Sequence, residues 1–382
     1  VDTTTSTEST ESRGRAEPAR LRAVLVLAGS TGGIGAHVRS LAAGLVGRGV
    51  AVTVCGPAAT EEHFDFSATG ARFRPVEIAA GPRPSDRAAA RELRAACTHA
   101  HVVHAHGLRA GLVAGNALGR HRVRRTPLVL TLHNAVLVGG AKGALTRVLE
   151  GRAVRAADVV LGASADLVDR ARGLGARDAR LGPVSAPALA PAGRDRAAVR
   201  AEFGAADRPL LLAVGRLAPQ KAYPVLLDAA RRWTEDRPTP LLVIAGDGPL
   251  RESLQERIDA ESLPVRLLGH RADVADLLGA ADVAVLSSRW EARALVAQEA
   301  LRTGVPLVAT AVGGVPELVG DAAVLVPHDD ADALADAVTA LLADPARRSE
   351  LAAAGRVQAG TWPDARETIA QVLSIYEELG PV

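Results

Sequence analysis

The sequence predicts an α/β protein built from two doubly wound, parallel-sheet domains. Three observations predict it. Short apolar runs rich in Val, Ile and Leu alternate with helix-forming segments, and this alternation starts twice, near residue 23 and again near residue 210. The chain's 382 residues exceed one common core and suit two domains of ordinary size. An apolar content of 48% is ample for burial and excludes global disorder. A formal net charge of +2 leaves no footprint for nucleic acid. Arg120, His121, Arg122, Arg124 and Arg125 form the one dense basic cluster, expected as a solvated loop, with contact to anionic lipid or an acidic substrate as the alternative. Only Cys55 and Cys97 carry thiols, which excludes a disulfide framework and a thiolate metal cage and fits a reducing cytoplasm. Residues 1–20, rich in Thr, Ser, Glu and Arg, are expected as a disordered tail and not a signal peptide. No stretch reaches the roughly 18 uninterrupted apolar residues of a membrane span.

The first strand is expected at residues 23–27. It leads through A-G-S-T-G-G-I-G into a helix over 37–46, a glycine turn at a helix N-terminus that suits a phosphate. A second strand follows at 50–54. Residues 28–35 also match the turn of short-chain dehydrogenases, but that reading fails on its own terms. The second strand runs into Cys55, Gly56 and Pro57 where an acid would hold an adenosine ribose, and neither Tyr223 nor Tyr376 has a lysine four residues on. Further helices are expected over 85–96, 110–118 and 165–174, with strands at 102–104, 128–132 and 159–161. Ligands of such a sheet lie at the carboxyl ends of its strands. His104, His106 and, in T-L-H-N, His133 fall there. His104 and His106 share a face at period two, while His99 and His101 fall on the other face of a continuous strand, which argues against one four-histidine metal site. The hydrolase pattern H-x-H-x-D-H also lacks its Asp-His, since Gly107, Leu108 and Arg109 follow; a structural or acceptor-contacting role is expected for this pair. A histidine at a strand tip, such as His133, can donate to a substrate hydroxyl or hold a loop. Residues 181–193, rich in Pro, Ala and Gly, form the expected linker.

In the second half, strands are expected at 210–214, 241–244, 265–268 and 282–286, and helices over 224–233, 273–278, 331–342 and 349–359. Trp362 and Pro363 break the pattern before a last helix over 366–379. The segment G-R-L-A-P-Q-K puts Arg216 and Lys221 on one strand-to-helix loop. A bidentate fork beside a mobile point charge is what a diphosphate requires. Lys142 and Lys221 are the only lysines in the chain. The stretch S-S-R-W-E-A-R-A-L-V-A-Q-E, 287–299, follows a strand and runs into a helix ending at Gly304. If all of it were helical, Glu299 would lie roughly 12 Å along the axis from Glu291 and about 80° round it. The helix's first free N–H groups between them suit a phosphate. Two carboxylates flanking an anion site have the dimensions of a sugar, a diphosphate and a ribose, although an exposed helix with two solvated acids has the same spacing. In A-V-G-G-V-P-E, Gly313 and Gly314 allow close backbone approach and Pro316 suits the first turn of a helix.

Together these residues resemble the nucleotide-sugar-dependent glycosyltransferases of family 4, which have the GT-B fold. The matching signs are the turn at Gly32 and Gly33, T-L-H-N, G-R-L-A-P-Q-K, I-A-G-D-G-P-L, the spacing of Glu291 and Glu299, and A-V-G-G-V-P-E, in order over nearly all of the chain beyond residue 20. The resemblance implies an acceptor-binding domain over 21–193, a donor-binding domain over 194–361, and a final segment, 362–382, that crosses back to the first domain. It implies that Arg216 and Lys221 bind the donor diphosphate and stabilise the leaving nucleotide, that Glu299 binds the ribose hydroxyls, and that Glu291 contacts the donor sugar. Backbone N–H groups of Arg293, Ala294 and Leu295 would face the sugar and phosphate. Gly32 and Gly33 would close over the donor, with His133 near the transferring centre. The implied reaction retains anomeric configuration and needs neither a metal nor another cofactor, the UDP- or GDP-linked sugar being a co-substrate and the acceptor a small molecule, glycan or lipid-linked group. Three departures stand out. Many members read E-G-F-G where this chain reads E-A-R-A, Ala222 stands where glycine is usual, and 182–187 lacks an Asn-Gly turn. Rival readings are a sugar-nucleotide epimerase, a phosphorylase whose cofactor lysine would have to be Lys142, and a donor-binding subunit that activates a partner.

Overall fold

The computed structural model describes residues 21–30, 32–79, 81, 85–119, 126–135, 140–182, 184, 191–235 and 237–380. The expected tail at 1–20, the basic cluster at 120–125 and residues 185–190 of the expected linker lie outside the described residues. One sheet comprises β1 (Arg22–Leu27), β2 (Ala51–Gly56), β3 (Arg72–Pro75), β4 (Val102–His106), β5 (Leu128–Leu132), β6 (Val159–Gly162) and β7 (Ala179–Leu181), in the order β3-β2-β1-β4-β5-β6-β7. The other comprises β8 (Leu210–Val214), β9 (Leu241–Ala245), β10 (Val265–Gly269), β11 (Val283–Leu286), β12 (Leu307–Thr310) and β13 (Val324–Val326), in the order β10-β9-β8-β11-β12-β13. The strands pair in parallel throughout both sheets. Each sheet grows in opposite directions from its first strand, so the winding reverses between β1 and β4 and again between β8 and β11. A doubly wound sheet receives its ligand at that reversal, beyond the carboxyl ends of the strands.

Burial accounts for part of what was legible in sequence; β12, although buried along its whole length, and β13 are not among the expected strands. β4, β5 and β9 are buried along their whole length, as expected where helices cover both faces of a parallel sheet. The edge strands β3, R-F-R-P, and β7, A-R-L, are short and contain no fully buried residue, so no apolar run announces them. The sequence reading also passed over the helices Ala58–Phe64, Gly140–Ala156, Arg196–Glu202 and Arg251–Ala260. The second of these opens on a glycine and scatters Lys142, Arg147, Arg152 and Arg155 along its length, which blurs a helical period. Lys142 is exposed there, so the one lysine left for a phosphorylase cofactor sits on the surface.

β4 runs to His106, two residues past the expected end, and this corrects the placing of the four histidines. His99 and His101 precede the strand instead of lying on its opposite face. His101 Nε2 lies 2.7 Å from the Arg22 guanidinium at the amino end of the sheet. His104 and His106 stack on each other with ring centroids 4.2 Å apart, further along the strand.

The last helix, Ala365–Leu379, starts from a capping box in which Asp364 and Glu367 satisfy each other's backbone N–H groups. It crosses back to the first domain. Ile369, Val372, Ile375 and Tyr376 bury themselves among Leu25, Leu41 and Val52. Gly44 admits this helix, because a Cβ there would stand 2.0 Å from Ile369. Arg180 pairs with Glu378 at 2.8 Å, and the Tyr376 hydroxyl lies 2.7 Å from His104 Nδ1 with both side chains fully buried. Tyr376→Phe strands a buried histidine nitrogen and is expected to lower unfolding free energy by about 1–3 kcal/mol, read by urea denaturation.

Candidate active site

β8 delivers the chain into Gly215 and Arg216, and a tight helical turn, Pro219–Lys221, follows. The A-G-D-G turn after β9 lies directly against this loop: a Cβ on Gly246 would stand 2.0 Å from the Gly215 carbonyl oxygen, and one on Gly248 would stand 2.5 Å from that of Leu217. These contacts give I-A-G-D-G-P-L its physical reason, since only glycine lets two backbones approach so closely. Arg216 is exposed, and among the described residues it has no ion-pair partner.

The loop after β11 is sewn to the loop after β8. Arg289 N donates to Gln220 O at 2.8 Å, the Gln220 side-chain amide donates to Trp290 O at 2.8 Å, and Ser287 Oγ donates to Lys221 O at 2.8 Å. Lys221 Nζ then meets Glu291 Oε1 at 2.5 Å, and Ser288 Oγ donates to the same oxygen at 2.7 Å. Glu291 is buried, so its charge is met by the ammonium and a hydroxyl instead of by water. The structure therefore brings Lys221 and Glu291 into direct contact, a pairing that their separation in sequence did not announce.

The helix that follows spans Leu295–Thr303, with Ala294 as its N-cap and no side chain capping it. Residues 291–294 lie outside the helix, so the axial spacing expected between Glu291 and Glu299 on one continuous helix does not apply. Only Glu299 is helical. The two acids also differ electrostatically. Glu299 has no hydrogen-bond or ion-pair partner for its carboxylate among the described residues, and burial raises its pKa, with Arg302 opposing.

The E-A-R-A segment fits without a left-handed backbone. Ala292 and Ala294 are buried, and neither adopts a positive φ, so alanine can replace glycine there. Arg293 points away from Glu291: its guanidinium stands 5.7 Å from the centre of the Trp362 ring, which Arg302 also faces at 5.6 Å. Ala222 differs, at φ 50°, in the left-handed region where glycine would carry no penalty.

Gly313 and Gly314 pack beneath this loop. Gly314 N donates to Glu291 O at 2.8 Å, and a Cβ on Gly314 would stand 2.1 Å from Ala292 O and 2.6 Å from the Cβ of Ser164 in the first domain. Gly314→Ala is therefore expected to displace the Glu291 loop and loosen the domain contact. Overpacking of this kind costs about 1–3 kcal/mol, visible as a lowered melting temperature together with reduced turnover.

The first domain meets this site at several points. A Cβ on Gly33 would stand 3.1 Å from Leu295 Cδ1, which places the turn of Gly32 and Gly33 over the start of the second domain's helix. The indole of Trp290 donates to Asp166 Oδ2 at 2.9 Å, and Ala165 N donates to Glu317 Oε2 at 3.0 Å. The sequence reading missed Asp166 and Glu317, because nothing local in sequence marks a partner across two domains. It also missed His37. One turn beyond Gly33, His37 lies edge-on to His106 and His133, with ring centroids 5.6 and 5.4 Å away. His106 Nδ1 lies 3.2 Å from His133 Nε2. Burial lowers the pKa of all of these rings, to about 4 for His37 and about 3 for His104, and to well below the ordinary value for His106 and His133. They are neutral at pH 7. Among the described residues no group of three or more His, Cys, Asp or Glu is arranged to hold a metal ion.

Two family models divide the chain between them: glycosyl transferase 4-like domain over residues 32–187 and glycosyl transferases group 1 over 195–358. The D-inositol 3-phosphate glycosyltransferase of Kineococcus radiotolerans is 32% identical over 90% of this chain and 90% of its own. The chain belongs to the family 4, group 1 glycosyltransferases. This glycosyltransferase is also 31% identical to the alpha-D-kanosaminyltransferase of Streptomyces kanamyceticus, over 73% of this chain and 77% of that one. Its two domains form the GT-B fold. HepE of Anabaena, solved with UDP and glucose, superposes with a TM-score of 0.79 over 94% of this chain and 100% of its own at 20% identity. Sucrose-phosphate synthase of Thermosynechococcus elongatus does so with a TM-score of 0.76, over 94% and 99%, at 21% identity.

Proposed function

We propose that this glycosyltransferase moves a sugar from a UDP- or GDP-linked donor to an acceptor hydroxyl with retention of anomeric configuration, without a metal cofactor. The observation that carries this reading is the Lys221–Glu291 contact at the junction of two strand-to-helix loops, beside a helix N-terminus with no side-chain cap and the exposed Arg216, which has no ion-pair partner among the described residues. A diphosphate laid across that junction meets two cations and the free N–H groups at the start of the helix Leu295–Thr303. Its negative charge draws the Lys221 ammonium, and Glu291, released from that contact, turns its carboxylate to the hydroxyls of the donor sugar. Glu299, whose carboxylate has no partner among the described residues, is free to accept from the ribose hydroxyls. Arg216 and Lys221 stabilise the charge that builds on the departing diphosphate, and that phosphate takes the acceptor's proton on the same face of the sugar. Such chemistry rests on positioning and electrostatic stabilisation. Gly32 and Gly33 close over the donor and His133 faces the transferring centre. The names of relatives support a nucleotide-linked donor: one is a GDP-mannose-dependent mannosyltransferase of Mycolicibacterium smegmatis, and HepE was solved with UDP-glucose. Two free, buried cysteines accord with a cytoplasmic site of action.

A screen of UDP-, GDP- and dTDP-sugars for turnover, with and without sugar and inositol acceptors, tests the reading. At least one donor is expected to be cleaved with retained configuration, whereas inertness toward every donor would contradict it. For the donor found, Glu299→Ala is expected to weaken binding about 10- to 100-fold, because a hydrogen bond to a charged group is worth about 1.5–3 kcal/mol.

A further inference from the structure

His106 has no place in the reaction described above, yet it is among the least satisfied groups in the fold. Its Nδ1 faces His133 Nε2 at 3.2 Å, and its Nε2 is enclosed with no partner. Among the described residues, only this atom and Arg293 Nε are buried side-chain nitrogens or oxygens without a hydrogen bond. Each neutral ring carries one hydrogen, and the contact between Nδ1 and Nε2 needs one hydrogen in it, so two arrangements remain. If His133 supplies that hydrogen, His106 must carry its own on Nε2, an enclosed N–H with nothing to receive it. If His106 supplies it, Nε2 is left as a bare lone pair. Among backbone groups an orphaned buried N–H is rarer than an under-satisfied acceptor, and the same preference applied to this ring favours the second arrangement. His133 does not influence the choice, because its Nδ1 is not enclosed and water can serve it in either form.

We propose that His106 is a positioning residue: it donates from Nδ1 to His133 Nε2 and so fixes His133 as the tautomer protonated on Nδ1. His133 then offers the cleft an N–H and not a lone pair. Its ligand is an oxygen that accepts, on the sugar, the acceptor or the phosphate, and His133 does not serve as the base for the acceptor's proton. His104 holds the arrangement from beneath: its ring stacks on His106 while its two nitrogens are occupied by Tyr376 and Thr131, each at 2.7 Å. The role given to His133 in the cleft rests on the proposed function, but the tautomer is a property of the unliganded protein, so the two can fail separately.

The test is a long-range proton–nitrogen correlation spectrum of the full chain labelled with 15N-histidine, with the His133 signals assigned by their loss in His133→Gln. The expected result is Nδ1 protonated and Nε2 bare on His133. In His106→Leu, His133 is expected to revert toward the Nε2-protonated form that free imidazole side chains favour, while His106→Asn, whose amide nitrogen stands where Nδ1 did and can still donate, holds the wild-type form. Using whichever of UDP-glucose and GDP-mannose is turned over, kcat is expected to fall about tenfold in the leucine variant, the equivalent of one misdirected hydrogen bond, with KM little changed and the asparagine variant recovering most of the loss. Protonation of wild-type His133 on Nε2 overturns the proposal, whether or not the variants fold. An unchanged tautomer in His106→Leu overturns it too. Inertness toward both sugars with the expected tautomer leaves His106's role standing and counts against the donor assignment.

Discussion

Lys221→Ala is expected to lower kcat/KM about 10- to 100-fold. Two losses combine in this variant. The donor diphosphate loses a charge-assisted partner, and Glu291, which is buried and meets Lys221 at 2.5 Å, is left with Ser288 alone. The lost contact to the diphosphate, a hydrogen bond to a charged group worth about 1.5–3 kcal/mol, lowers kcat/KM, while the buried Glu291 charge left behind lowers the stability of the unliganded protein by about 2–5 kcal/mol. Glu291→Gln separates the two contributions. It keeps the shape and removes the carboxylate's charge, so Lys221 stays available to the phosphate and the effect should fall mainly on sugar positioning and kcat. If the pair acts as one unit, the double variant Lys221→Ala, Glu291→Gln is expected to lose less than the sum of the single losses, which steady-state kinetics on the four proteins will read.

The second large effect is on stability in acid. Folding buries His37, His104, His106 and His133 and lowers the pKa of each, so below pH 6.5 the unfolded chain binds protons that the native protein refuses. The stabilisation these rings contribute is fully present above about pH 6.5 and is lost as pH falls toward the native values, about 4 for His37 and about 3 for His104. Each such histidine adds a slope of roughly 1 kcal/mol per pH unit. Glu299 acts in the opposite sense: burial raises its pKa, so its protonation favours the native state and cancels at most one histidine. The acids whose pKa ion pairs lower, Glu202, Glu261 and Asp273, begin to count only below the ordinary carboxylate range. Since domain stabilities are about 5–15 kcal/mol, the first domain is expected to unfold near pH 5. Thermal melts between pH 7 and 4.5 check this, and a melting temperature unchanged down to pH 5 would show that the rings accept protons without loss of the fold.

The fold was legible because buried parallel strands are written as apolar runs and both series of alternation survive in the sequence. β3 and β7 were not, since a short edge strand has little apolar surface to bury and reads as loop. The polar half of the site was legible where a motif puts chemistry on one loop, as with Arg216 and Lys221 after β8. It was illegible where partners come from distant segments. No local signal joins Lys221 to Glu291, Trp290 to Asp166, or Glu317 to the backbone of Ala165; only the sheet order brings them together. The side chain of Arg293 is the clearest reversal. Two residues from Glu291 in sequence, it lies instead against Trp362, which arrives from the start of the crossover segment and offers its ring to the guanidinium. His37 went unnoticed for a related reason: within a helix pattern it is one more residue on a buried face, and its company becomes visible only when β4 and β5 place His106 and His133 beside it.

The central claim is that a nucleoside diphosphate binds where the loops after β8 and β11 meet. Calorimetric titration of UDP and of GDP into the wild-type chain, Arg216→Ala and Lys221→Ala tests it most directly. One nucleotide is expected to bind the wild type saturably with one site per chain, and each variant is expected to lose at least about tenfold in affinity, the loss of one charge-assisted hydrogen bond. Equal affinity in all three proteins would place the nucleotide elsewhere and contradict the account.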